Sequence, residues 1–228
     1  FCDFQAGLFD RNWGTAQAGG DYKSVKAGQP VRKLNIKAPS GGMTIPAVAT
    51  FSEEPGGALK AEYVFTPVGD APLQCLYVAA EFSVPVLAGG KWTAGEKSGT
   101  FPTEFKDTHI FNEQIQSLKL ELPSGETLDL AFTDPTRVLL QDNRKWGPSF
   151  SVRIYRSPSG GGSFKKGEPV KIAFNVSAKE GLAVSYDEPV TIIAGEEWVP
   201  LNLDLDIEPG SALDFSSQGF LDAPAGKL

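Results

Sequence analysis

The stretch QSLKLELPSGETLDLAF, Gln116 to Phe132, decides the fold class. Leu118, Leu120 and Leu122 alternate with polar residues, and Leu128, Leu130 and Phe132 do the same beyond Pro123-Ser124-Gly125-Glu126. Successive side chains of a strand point to opposite faces, so each run offers one apolar and one wet face, and the turn between them predicts a β-hairpin. The same period of two recurs outward in both directions. Downstream, SFSVRIYRS (Ser149–Ser157) sets Phe150, Val152 and Ile154 against Ser151, Arg153 and Tyr155, and the strands VKIAFNVSA, PVTIIA and VPLNLDLDIE follow. Upstream, LQCLYVAAEFSVPV (Leu73–Val86) is apolar almost throughout, which predicts a central strand covered on both faces. ALKAEYVFTPV alternates in Leu59, Ala61, Tyr63 and Phe65, and VRKLNIKA turns Leu34 and Ile36 inward.

The 25 Gly and 17 Pro fall between these short runs, as turns do, and no window of a dozen residues keeps a helical apolar period without one intruding. The expected fold is all-β: an antiparallel β-sandwich of two packed sheets with many short strands. Residues 1–30 show neither period and read as an irregular lead-in packed on the core by Phe1, Phe4, Phe9 and Trp13. Residues 31–208 form the sandwich, and 209–228 a linker-like segment. No internal repeat points to a propeller or solenoid.

A net charge of −7 with no Lys/Arg cluster argues against a nucleic-acid partner, which needs cations to displace condensed counterions. No stretch approaches the roughly 20 apolar residues of a membrane helix, and the N-terminus lacks a signal-peptide layout. The expectation is a secreted protein, extracellular or periplasmic, beginning after any export signal. Cys2 and Cys75 are too far apart in sequence to suggest zinc or a redox pair; they form one disulfide or two independent thiols.

Catalytic signals are sparse. His109 has Asp107 and Glu113 nearby, but without a nucleophile motif it reads as an ordinary strand-edge or loop histidine. SPSGGGSFKK lacks the spacing of a phosphate loop. Glycoside cleavage needs two carboxylates across a cleft, and neither Glu196 with Glu197 nor Asp204 with Asp206 makes that case. Asp204 and Asp206 share one strand face and suit a solvated edge, or a weak Ca²⁺ site; no other cofactor is expected. The chain is read as having no catalytic machinery of its own.

Binding sugar asks for less: an aromatic ring on the apolar face of a pyranose, with amides, carboxylates and Arg on the hydroxyls. Trp92, in the Gly-rich AGGKWTAGE, is expected to be exposed and is the first candidate. Trp13 in DRNWGT and Trp146 in QDNRKWGPSF follow, the latter beside Asp142, Asn143 and Arg144, which could grip hydroxyls. Trp198 opens a strand between apolar residues and reads as core.

The tail DLDIEPGSALDFSSQGFLDAPAGKL, Asp204 to Leu228, resembles the junction upstream of the catalytic barrel in large bacterial glycoside hydrolases that carry an N-terminal β-sandwich. The resemblance implies an accessory, carbohydrate-binding module whose partners are a polysaccharide, such as a plant or algal cell-wall glycan, and a catalytic domain C-terminal to this chain. Two other readings stay open: a structural sandwich packed on the barrel without binding glycan, and a small sandwich hydrolase or lyase using Glu104, Asp107 or Glu113 near His109.

Overall fold

The computed structural model describes residues 4–21, 31–40, 43–54, 58–178, 190–194 and 197–201. In chain order the strands are β1 (Phe4–Asp10), β2 (Thr15–Gln17), β3 (Gly19–Asp21), β4 (Val31–Lys37), β5 (Thr44–Glu54), β6 (Ala58–Phe65), β7 (Leu73–Ser83), β8 (Lys91–Ala94), β9 (Lys97–Thr100), β10 (His109–Glu121), β11 (Thr127–Asp142), β12 (Ser149–Arg156), β13 (Val170–Ala178), β14 (Val190–Ala194) and β15 (Glu197–Leu201). The one α-helical turn among the described residues is α1 (Val84–Leu87). All pairings between strands are antiparallel, so the all-β expectation holds.

The Gln116–Phe132 stretch is the turn end of β10 and β11, with Leu118 opposite Leu130 and Leu120 opposite Leu128. In place of the expected two separate sheets, the strands of the first unit form one continuous sheet folded into two leaves, because β11 is long enough to carry two neighbours along one edge. Its residues 128–131 pair with β13, and its residues 137–142 pair with β12. Between these two segments lies Pro135, which has no N–H to give a ladder, and β10 shifts register opposite it, between Ile115 and Ser117. From β12 one leaf runs on to β7, β1 and β2; from β13 the other runs to β6, β5, β4 and β3. The small β8–β9 ribbon hangs on the free edge of β10 through Lys119–Glu121.

The core fills the space between the leaves. Phe4 of the first leaf meets Phe174 of the second with ring centroids 5.0 Å apart. Tyr63, on β6, donates its hydroxyl to the Phe4 carbonyl at 3.0 Å, so even the phenol of a buried tyrosine is satisfied across the gap. β7 is covered on both faces as its composition predicts: Leu76, Val78, Ala80 and Phe82 enter the main core, while Cys75, Tyr77 and Ala79 form a second cluster with Phe9 and Tyr155 on the opposite face.

Residues 1–30 are not simply an irregular lead-in. β1 sits between β2 and β7 and buries Ala6, Leu8 and Asp10. Its alternation is hard to read because the outward position 7 is glycine. A Cβ there would lie 2.3 Å from the Tyr77 ring, so Gly7 is the gap through which that ring crosses β1. The chain divides into two compact units, Phe1–Leu182 and Ala183–Leu228, a boundary that the sequence does not announce. In the second, β14 and β15 form a hairpin with Ile192 opposite Val199.

Phe174 joins Phe4, Tyr63 and Phe132 at the centre of the core. Phe174→Ala should lower the stability of the first unit by about 3–5 kcal/mol, read from urea unfolding followed by tryptophan fluorescence. A loss below about 1 kcal/mol would contradict this packing.

Candidate functional site

The outward face of the first leaf is the most unusual surface among the described residues. A solvent-facing antiparallel sheet ordinarily carries scattered charges. Here β7 presents Cys75, Tyr77, Ala79 and Glu81, and β12 presents Ser149, Ser151, Arg153 and Tyr155. Register sets Gln141 and Leu139 of β11 beside Ser151 and Arg153, and Asn112 of β10 beside Leu139. Amides, hydroxyls, aromatic rings and arginine dominate.

These side chains build a layered platform. Tyr77 lies across Gly7 and its hydroxyl shares a 2.9 Å hydrogen bond with Thr15 Oγ1 on β2. The Arg153 guanidinium stands 5.0 Å from the Tyr77 ring centroid and 4.8 Å from that of Phe9, and its NH1 donates to Gln141 Oε1 at 3.0 Å. Tyr155 donates to Asn112 Oδ1 at 2.8 Å, across the intervening strand. Two atoms in this assembly are buried without a partner among the described residues, Arg153 Nε and Ser151 Oγ. Burial pushes the Cys75 thiol up from 9.0 to about 11, against the weaker opposing pull of Arg153, and raises Tyr77 for the same reason.

Trp13 stands at the rim. It occupies the β1–β2 turn with φ 64°, the one non-glycine residue with positive φ among those described, and is 67% exposed. That conformation costs a bulky side chain about 1–2 kcal/mol, and the surrounding turn enforces it. Asp10 accepts the backbone N–H groups of Asn12 and Gly14 at 2.9 and 2.8 Å, while Trp13 N donates to the Asp10 carbonyl at 3.1 Å. Arg11 donates to the Gly162 carbonyl and Gln74 donates to that of Arg11, pinning the turn from two further sides. The ring itself touches Phe9 with centroids 5.9 Å apart and otherwise faces water.

Several sequence-based candidates fall elsewhere. Trp92 is not exposed: it is 7% accessible, because it alternates inward with Ala94 on β8, rests on Gly99 of β9 and meets the Phe111 ring at 5.0 Å. The glycines around it make a hairpin rather than an open loop. Trp146 is 70% exposed, as a platform residue must be, but its three companions act as a staple. Asp142 is fully buried and binds Arg144, whose NH2 lies 2.6 Å from Oδ2 and whose other donors reach the carbonyls of Pro102 and Thr103. Asn143 is spent on Glu81 Oε2 and Ser149 Oγ. Asp142, Asn143 and Arg144 therefore hold the β11–β12 loop and are not free to grip hydroxyls. His109 is exposed on β10 opposite Gln141, at the edge of the outward face, and Glu113 is paired with Lys97. Trp198 lies on β15, opposite Ile193. Cys75 carries a free, buried thiol. Cys2, Asp204, Asp206 and the Asp204–Leu228 tail lie outside the described residues, and among the described residues no three His, Cys, Asp or Glu side chains gather as a metal site would need.

No family model matches this sequence, and no curated protein is similar to it. The solved structures similar to this chain include α-galactosidases. The GH36 enzyme AgaB from Geobacillus stearothermophilus aligns with 78% of this chain at 11% identity and a TM-score of 0.45. Its counterpart AgaA from the same organism aligns with 77% at 11% identity and a TM-score of 0.45. This chain spans 30% of the length of each.

Two outcomes test the site's construction. Asn tolerates the left-handed conformation better than Trp, so Trp13→Asn should unfold at a temperature equal to or above that of the parent; a marked loss would make Trp13 a structural lid. Cys75 should resist thiol reagents near neutral pH until the domain unfolds, when measured in a Cys2→Ser background. Its folded pKa lies above its unfolded one, so the unfolded chain gives up its proton first. The stability it contributes is complete below pH 9.0 and is lost as pH rises toward about 11. Cys75→Ala should remove that part of the alkaline slope in unfolding experiments.

Proposed function

We propose that this chain is a non-catalytic β-sandwich module of a polysaccharide-degrading enzyme, and that the outward face of its first leaf binds glycan. The observation that carries the reading is Trp13, a solvent-exposed ring held in a strained backbone conformation by four separate hydrogen bonds in its turn. Strain of this kind persists where the surroundings over-determine it, and such positions concentrate at ligand clamps. A rigid ring loses little entropy when a sugar stacks on it, and the adjoining face carries the exposed Asn112 with the half-buried Tyr155 and Arg153, whose remaining donors and acceptors suit hydroxyls.

A second reading has an observation of its own. Phe9 and Tyr155, partly buried, cap the Cys75, Tyr77 and Ala79 cluster on the outward side, and with the exposed Trp13 they give that surface an apolar component that suits packing against a neighbouring domain. On that reading the module orients a catalytic partner and binds no sugar itself.

Affinity electrophoresis against a panel of soluble neutral and acidic glycans, with pull-downs on insoluble cellulose, xylan and mannan, separates the two. Glycan binding predicts retardation of the parent and a loss of about tenfold in affinity for Trp13→Ala, with Trp92→Ala affecting only stability. No retardation on any glycan would favour the packing reading.

A further inference from the structure

The outward face departs from the rest of this chain in charge. The chain is acidic, at −7 overall, yet the face presents two arginines, Arg153 on β12 and Arg137 on the adjacent β11, where Arg137 registers with Tyr155. The ion pairs among the described residues are Lys91–Glu121, Lys97–Glu113, Arg144–Asp142, Lys165–Asp70 and Lys171–Glu62, and neither Arg153 nor Arg137 takes part in one. Glu81, the carboxylate on the outward row beside Ser151, accepts from Asn143 Nδ2 and Ser149 Oγ, each at 2.9 Å; neither bond cancels its charge, and it forms no ion pair with either arginine. Arg153 uses one of its donors, toward Gln141, while Phe9 and Tyr77 hold the guanidinium in place. Two residues along the same face, Ser151 is 0% exposed and its Oγ has no partner among the described residues.

The half-buried Arg153 guanidinium has no ion-pair partner among the described residues, and an anionic ligand would supply one. Its planar fork matches a carboxylate with two parallel hydrogen bonds, and a pre-positioned fork loses little entropy in doing so. The Trp13 ring touches Phe9, against which the guanidinium also packs, and amides and hydroxyls flank it, an assembly that suits the faces and hydroxyls of a sugar. We propose that this face is specific for an acidic glycan: a uronic-acid residue places its carboxylate on Arg153, with Arg137 as the second cation of the site. The inference rests on the glycan-binding reading given above and narrows it to one substrate class.

The test compares a short oligogalacturonate, its methyl ester, a neutral galactan and poly-glutamate as ligands for the whole chain in calorimetric titrations. The expected result is binding of the oligogalacturonate about tenfold or more tighter than the ester, with poly-glutamate weaker still. Arg153→Gln should abolish the difference between acid and ester, and Arg153→Lys should restore only part of it. Arg137 is exposed, so Arg137→Gln tests the same point in a variant whose folding is not at risk. Equal affinity for acid and ester, or binding of the neutral galactan alone, would overturn the acidic specificity and leave the glycan reading standing. Poly-glutamate binding as tightly as the oligogalacturonate would also overturn it, by showing that charge alone is read. No binding to any glycan would overturn both.

Discussion

The pairing of one edge of β11 with two different strands is the constraint on which the first unit depends. Because residues 128–131 hold β13 and residues 137–142 hold β12, the sheet must part at Phe132–Thr136, and its two halves become the walls of a core. Tyr63 and Phe174 on one leaf and Phe4 and Phe150 on the other belong to the core that this fork encloses. The outward face is a by-product of the same geometry. Once one side of β7 and β12 is committed to the core, their alternate residues have nowhere to go but the opposite surface, and Tyr77, Arg153 and Tyr155 are brought together there.

Much of this was legible from period alone. The alternation in Gln116–Phe132 and in Ser149–Arg156 set the correct inward residues, and the unbroken apolar run of β7 correctly signalled cover on both faces. β1 was obscured because its defining feature is a missing side chain: Gly7 reads as loop composition, whereas its role is to admit the ring of a residue 70 positions away. Trp92 misled for a related reason. The glycines of AGGKWTAGE suggest an open loop, but Gly95 makes the turn at φ 60° and Gly99, beyond that stretch, makes room for the indole.

The candidate site was legible only in its chemistry. That an exposed tryptophan with amides and arginine would form it follows from residue types, and Trp13 was among the residues singled out. Which polar groups accompany it depends on cross-strand register, since Arg153, Gln141, Tyr155 and Asn112 are scattered over three strands. Asp142, Asn143 and Arg144 show the opposite case, in which neighbours in sequence beside an exposed tryptophan are consumed in holding their own loop.

The layering of Tyr77 beneath Phe9 and Arg153 has one more consequence. Because the lower ring lies in the gap left by Gly7 and is tied to Thr15, the upper groups rest on a fixed floor rather than on mobile side chains. Such a surface cannot remodel itself around differently shaped partners. A glycan bound there as proposed would be selected by height and curvature as well as by charge, since flat ligands can lie along the strands and none can sink between them.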